Sequence, residues 1–155
     1  MKLRNVALII WSLSAFIFIQ CDSDDDDLSP VEVARAQLIG TWEVDQVLLN
    51  GFDVTNPSYT DFVILFRPDG SYFALDANPV FTESGGFWQF INNDPERLEI
   101  GAEEVIESTV TFSEDSNVLT LSFTAVGEEI GASGRTKGLE GEYEFRLLRS
   151  DQQIE

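Results

Sequence analysis

The chain has 155 residues, of which 28 are acidic and nine are basic, so its formal net charge at pH 7 is −19. A surface this negative repels nucleic-acid phosphates and anionic headgroups, and no basic stripe offsets it, so we exclude nucleic-acid binding. The chain has no histidine and a single cysteine, which removes the usual general base, any internal disulfide and any thiolate metal cluster.

Residues 1–20 have the organisation of a secretion signal. Lys2 and Arg4 give a positive start, and an apolar stretch over residues 6–19 follows. This stretch is shorter than the roughly 20 residues that a spanning helix needs, and its length fits the apolar region of a signal peptide. The segment ends at Cys21 and resembles the bacterial lipoprotein signal, in which cleavage leaves an N-terminal lipidated cysteine. The resemblance implies a signal peptide over residues 1–20 and lipid attachment at Cys21; an uncleaved N-terminal anchor with a chance cysteine is the alternative.

An acidic run follows the cysteine and occupies residues 22–27. Adjacent like charges repel, so we expect residues 21–28 to form an extended, solvated tether. The run resembles the acidic motifs of Bacteroidota lipoproteins, which implies lipid anchoring to the outer membrane at the cell surface, with the periplasmic face as the alternative. An EF-hand loop needs glycine at position six and glutamate at position twelve. Counted from Asp22 these positions hold Asp27 and Val33, so we predict no metal site.

A short helix is predicted immediately after the tether. Ser29 suits the N-cap, Pro30 suits the first helical position, and Glu32 can complete a capping box. Gly40 then ends the helix. Because a helix of about two turns is marginal alone, we expect it to pack over one end of the structure that follows. We place the domain that contains both at residues 29–150.

From Gly40 onward apolar and polar residues alternate, which is the period of a β-strand. Turn sequences such as Asn50-Gly51 separate the alternating segments. The pattern predicts about eight strands, near residues 42–48, 62–66, 71–76, 87–91, 97–100, 109–112, 118–124 and 141–148. No crossover helix is predicted between them, so parallel pairing is excluded. We therefore predict an all-β fold, an eight-stranded antiparallel up-and-down barrel whose closure removes the sheet edges; an open two-sheet sandwich is the alternative.

Several motifs along the predicted barrel resemble lipocalin landmarks. Residues 40–42, Gly-Thr-Trp, are similar to the opening Gly-x-Trp of lipocalins, whose tryptophan closes the barrel floor. Residues 66–72 resemble the F-x-x-D-G-x-Y/F motif of bacterial lipocalin-like lipoproteins, and residues 86–88 resemble the G-x-W motif that follows it. The closing segment at residues 141–145 also fits. Over residues 38–148 the chain is thus similar to a lipocalin-like domain lipoprotein of the Bacteroidota type.

The resemblance implies a module that binds a small hydrophobic or amphipathic ligand inside the barrel. The candidate ligand-binding residues, chosen by alternation, are all aromatic: Trp42, Phe66, Tyr72, Trp88, Phe123 and Tyr143. Inward aromatic residues form a core more often than a pocket, so a filled barrel is the competing interpretation. Gln46 and Gln89 are in phase with apolar neighbours and are candidates for polar groups in a pocket, or for side chains near a rim that hydrogen-bond to the backbone. The alternative function is a structural or interaction lipoprotein that is accessory to another envelope protein.

Two segments, residues 76–86 and 125–140, are long enough to be either recognition loops or disordered segments. The second contains Arg135 and Lys137, which are candidates to attract an anionic ligand to the barrel mouth. Neither has the glycine spacing of a dinucleotide or phosphate loop. The chain has no Gly-x-Ser-x-Gly elbow, and among its 28 acidic residues no pair stands out. We therefore predict a non-enzyme without a cofactor, whose partners are the membrane, through Cys21, and a small apolar ligand or an unidentified protein.

Overall fold

A computed structural model of the chain describes residues 28–76, 80, 84–102, 105–125 and 140–151. The predicted signal peptide and Cys21 lie outside these residues, as does the tether up to residue 27. Arg135 and Lys137 also lie outside them, together with most of the second long loop. The described residues are mainly β-structure, with two short α-helices and one turn of 3-10 helix at Ile91–Asn93.

Nine antiparallel strands form one sheet, and eight of them close into a barrel. The strands are β1 (Gly40–Leu49), β2 (Phe52–Asp53), β3 (Val63–Phe66), β4 (Ser71–Leu75), β5 (Gly85–Phe90), β6 (Arg97–Gly101), β7 (Val105–Phe112), β8 (Val118–Ala125) and β9 (Gly141–Ser150). β1 and β3 to β9 follow one another around the barrel, and β9 pairs with β1 to close it. The predicted eight-stranded up-and-down barrel is therefore confirmed, and the short β2 is additional.

The barrel core consists of the inward residues of each strand. In β9, Tyr143, Phe145 and Leu147 are buried, while the residues between them are exposed, which is the two-residue period of a strand with one apolar face. These inward residues and the buried residues of the other strands form one continuous core. The closed sheet and its core lie within residues 28–151, which is the form of a unit that in principle can fold on its own.

A β-bulge on β1 changes which side chains face inward. The register of β1 against β9 shifts between Val44 and Gln46, so one extra residue is accommodated and the alternation restarts. Beyond the shift Val47 is buried, and Gln46 lies on the outer wall, where its Nε2 donates to Asp53 Oδ2 at 3.2 Å. The prediction that Gln46 is a polar group inside the barrel is therefore wrong.

Helix α1 (Pro30–Leu38) covers one end of the barrel, which we call the α1 end. Its N-terminus has the predicted capping box: Ser29 Oγ accepts from the Glu32 main-chain N–H at 3.4 Å, and the Glu32 carboxylate accepts from the Ser29 main-chain N–H at 2.7 Å. Ala34 and Leu38 are buried in the barrel core. The predicted helix and its position over one end of the barrel are confirmed.

The opposite end of the barrel, the loop end, is partly covered by the β1–β3 connection. This connection contains β2 and helix α2 (Thr55–Ser58). Thr55 Oγ1 accepts from the Val47 main-chain N–H at 2.8 Å and donates to Asp53 Oδ1 at 2.7 Å. These hydrogen bonds fold the connection back onto β1 and place Tyr59 in the core.

Candidate binding site

Trp42 forms the floor of the barrel at the α1 end. Its indole N–H donates to the Leu38 carbonyl oxygen at 2.8 Å, and the Arg149 guanidinium lies over its ring, 4.4 Å from the centroid. The same guanidinium donates to three main-chain carbonyl oxygens, those of Gln37, Ile39 (3.1 Å) and Ser116 (3.2 Å). Arg149 thereby joins α1, the β7–β8 turn and the strand pair that closes the barrel.

Phe66, Tyr72 and Trp88 lie together on neighbouring strands. Phe66 and Tyr72 are paired across β3 and β4, and the Phe66 and Trp88 rings meet edge to face at 5.9 Å. The Trp88 indole N–H donates to the Ser71 carbonyl oxygen at 2.9 Å. Arg35 of α1 lies 5.0 Å from the centroid of the Trp88 ring. An arginine guanidinium therefore lies over the ring of each of the two tryptophans of the barrel.

Phe123 and Tyr143 belong to an aromatic cluster around Phe145 in the half of the barrel near the loop end. Their rings stack at 5.6 Å, and Phe145 lies 5.8 Å from Phe123, 5.1 Å from Tyr59 and 5.3 Å from Phe62. The side chains of Tyr59 and Tyr143 hydrogen-bond to each other, and burial raises the pKa of both phenols. Both are therefore neutral near pH 7.

All six aromatic residues predicted from the sequence are buried. They fall into two groups, with Trp42, Phe66, Tyr72 and Trp88 towards the α1 end and Phe123 and Tyr143 towards the loop end. The sequence pattern did not identify Tyr59, which comes from the β1–β3 connection, or the two stacked arginines. No local signal distinguishes Arg149, because its partners lie up to 112 positions away in the chain.

Two grooves bordered by described residues lie on the outer wall of the barrel. The larger, of about 440 Å³, extends from β6 across β7, β8 and β9 to β1. It includes the polar residues Arg97, Glu107, Thr109, Ser122, Thr124 and Glu144. Arg97 and Glu107 form an exposed ion pair at 3.1 Å. This groove is open to solvent, and two of the predicted ligand-binding residues, the buried Phe123 and Tyr143, also border it.

The smaller groove, of about 230 Å³, lies on β5 to β7 and is largely apolar. Phe87 and Val105 border it and are 71% and 59% exposed. Gln89 also borders it, and its Nε2 donates to Glu99 Oε2 at 2.6 Å. Because Gln89 alternates with the buried Trp88, it lies on the outer wall, and the prediction that it is a polar group inside the barrel is wrong.

The described carboxylates with shifted pKa values stabilise caps and turns. Glu32, Asp53, Asp69 and Asp115 each accept hydrogen bonds from a nearby serine or threonine hydroxyl, and these bonds hold their pKa values below the ordinary range. Among the described residues, no group of three or more potential ligands is placed to hold a metal ion. No described helix combines the length and the apolarity needed to cross a membrane.

No family model, curated protein or solved structure matches this chain. Its class is therefore defined by its own topology, a closed eight-stranded antiparallel barrel with an aromatic core and grooves on its outer wall.

Proposed function

We propose that the protein is a lipoprotein of the outer membrane, anchored at the cell surface through Cys21, whose lipocalin-like barrel is an interaction module accessory to another envelope protein. The observation that carries the interaction function is the packing of the core. The rings of Phe123, Tyr143, Tyr59 and Phe62 surround Phe145 at centroid distances of 5.1 to 6.1 Å. Phe123 and Tyr143, two of the six aromatic residues expected to enclose a ligand, thus pack into an aromatic cluster, which supports recognition by the exterior of the barrel.

The position of α1 supports an orientation on the membrane. The described chain begins at Leu28, just before α1, so a tether from Cys21 reaches the barrel at its α1 end. Eight residues of extended chain span at most roughly 28 Å, which keeps the α1 end closer to the anchor than the loop end. One acyl chain binds membranes only marginally, so a stable anchor requires the multiple acylation that bacterial lipoproteins receive.

The shifted pKa values favour a binding role over catalysis. A general acid or base works best with a pKa near the operating pH. Here hydrogen bonds lower the pKa values of carboxylates such as Asp53 and Asp69, while burial raises those of Tyr59 and Tyr143. Each of these groups is moved away from neutrality, which makes it less suited to general acid or base catalysis near pH 7.

A small amphipathic ligand inside the barrel is the second candidate. It is favoured by the hydrogen-bonded side chains of Tyr59 and Tyr143, which put polar groups within an otherwise apolar interior. An apolar pocket with a few placed polar groups is the usual form of a small-molecule site.

Native mass spectrometry of the domain that begins at Leu28 distinguishes the two candidates. We expect the mass of the polypeptide alone for an interaction module. An additional discrete mass that solvent extraction removes, and that Tyr59→Phe or Trp88→Leu weakens, would instead establish a ligand. The anchor is tested separately by labelling the full-length chain with radioactive palmitate in a bacterial host. Cys21→Ser is expected to abolish the label and release the protein from membranes, and persistent label would refute the anchor.

A further inference from the structure

Six apolar residues form a patch on the outer wall of the barrel, called here the wall patch: Val63, Leu65, Phe73, Leu75, Phe87 and Val105. Each of them alternates with inward-facing neighbours, so its side chain faces outward. The strand register places Val63 opposite Leu75, and Leu65 opposite Phe73. Side chains directly opposite on one face lie about 4.5–5.5 Å apart, so the wall patch is continuous from β3 to β4.

The smaller groove extends the wall patch from β5 to β7. Phe73 is opposite Gly85, so Phe87 is its diagonal neighbour on the same face, within reach of an aromatic side chain. Phe87 is opposite Gly101, and Gly101 is opposite Val105. Because Gly101 has no side chain, Phe87 and Val105 flank a groove of about 230 Å³ with Gly101 between them. Sites for drug-sized ligands measure roughly 300–1,000 Å³, so this groove suits one large apolar side chain better than a small molecule.

Carboxylates surround the wall patch. Asp61 and Asp76 lie at the loop-end termini of β3 and β4, Asp69 lies in the β3–β4 turn, and Glu99 borders the groove. One basic residue, Arg67, lies in the same turn as Asp69. A second copy of this chain would bring an acidic rim against an acidic rim, which like-charge repulsion opposes. A partner with basic residues around an apolar centre matches this surface in both respects.

We propose that the wall patch is a docking surface for a protein partner that presents a large apolar side chain surrounded by lysine or arginine. The proposal names the partner chemistry for the interaction function proposed above and rests on that function. The partner's apolar side chain enters the groove between Phe87 and Val105, where burial of apolar area supplies affinity. Its basic residues face the acidic rim and accelerate association.

The test uses the domain that begins at Leu28 and a labelled helical peptide of lysine and leucine as the probe, with binding followed by fluorescence anisotropy. A peptide with serine in place of leucine controls for general attraction to an acidic protein. Phe87→Ser and Val105→Ser are compared with Phe52→Ser, because Phe52 is 76% exposed on β2, outside the wall patch. Circular dichroism establishes that each variant is folded.

We expect either wall-patch substitution to weaken binding of the lysine–leucine peptide by about tenfold or more, and Phe52→Ser to leave it unchanged. Higher salt is expected to weaken binding of the wild-type domain. Equal binding by all variants, or no preference over the lysine–serine peptide, would overturn the proposal.

Two further measurements identify other occupants of the wall patch. A concentration-dependent dimer that Phe87→Ser abolishes would assign the surface to a second copy. Binding to phosphatidylcholine vesicles that depends on Phe87 would assign it to a membrane. Either result would overturn docking of a basic protein partner. Because this domain lacks Cys21, failure here leaves the proposed anchor untouched, and the palmitate experiment tests that anchor by itself.

Discussion

Replacing Arg149 with alanine tests how the α1 end of the barrel is held closed. The guanidinium lies 4.4 Å from the Trp42 ring centroid and donates to three main-chain carbonyl oxygens. A partly buried cation–π contact contributes about 1 kcal/mol. The three charge-assisted hydrogen bonds contribute about 2 kcal/mol together, because water can replace part of each bond at a partly buried site. Arg149→Ala is therefore expected to lower the free energy of unfolding by about 3 kcal/mol.

Urea denaturation followed by tryptophan fluorescence measures this loss. A difference of 3 kcal/mol shifts the midpoint by roughly 1–3 M for the usual range of urea slopes. Arg146→Ala is the matched control, since it removes the same charge from the same strand but breaks only an exposed ion pair with Asp45, a contact worth at most about 1 kcal/mol. Arg149→Lys keeps the charge but loses the planar fork and should fall between wild type and Arg149→Ala. Equal losses for the two alanine variants would refute the reasoning.

Three other predictions concern the backbone and the charges. Gly86→Ala would place a Cβ 2.5 Å from the Gly101 carbonyl oxygen and is expected to destabilise the barrel by about 2–3 kcal/mol in thermal unfolding. Gly51→Ala meets no atom within 4 Å but keeps a φ of +79°, so it should cost only about 1 kcal/mol. A larger loss of stability for Gly51→Ala than for Gly86→Ala would contradict the predicted clash with Gly101. Burial raises the pKa of Tyr59 above its ordinary value of 10.0, so its contribution is complete below pH 10 and is lost as the pH rises further. The melting temperature of Tyr59→Phe should therefore fall less above pH 10 than that of the wild type. An equal fall would show that ionisation of Tyr59 is not its cause. Because the net charge is −19, added NaCl at pH 7 should screen repulsion and raise the melting temperature, whereas a decrease would show that charge repulsion does not limit stability.

The barrel could be predicted from the sequence because most of its strands alternate and most of its connections are short. The turn at residues 67–70 and the inward series Tyr143, Phe145 and Leu147 are local signals, and the strand order follows when each strand pairs with the next. The bulge between Val44 and Gln46 was not predictable, because the β1 sequence does not determine where its register against β9 shifts. Gln46 was misplaced for this reason.

The site was less predictable because its contacts join distant parts of the chain. Alternation identifies Trp42 and Trp88 as inward residues, but it does not reveal that Arg149 and Arg35 lie over their rings. Tyr59 follows α2 in a connection without the period of a strand, so nothing in its local sequence predicts that it enters the core. Alternation does place Phe87 outward, but its exposure depends on the opposing Gly101, which only the strand register identifies.

The distribution of the basic residues supports recognition by the apolar part of the outer wall. Arg35 and Arg149 lie over tryptophans at the α1 end, where they stabilise the end nearest the proposed anchor. Arg97 and Arg146 form ion pairs on the polar side of the barrel, so the cations described on that side already have carboxylate partners. The wall patch has Arg67 at one margin and several carboxylates around it. A partner that docks there must supply cations of its own, so partner choice should depend on salt as well as on apolar contact.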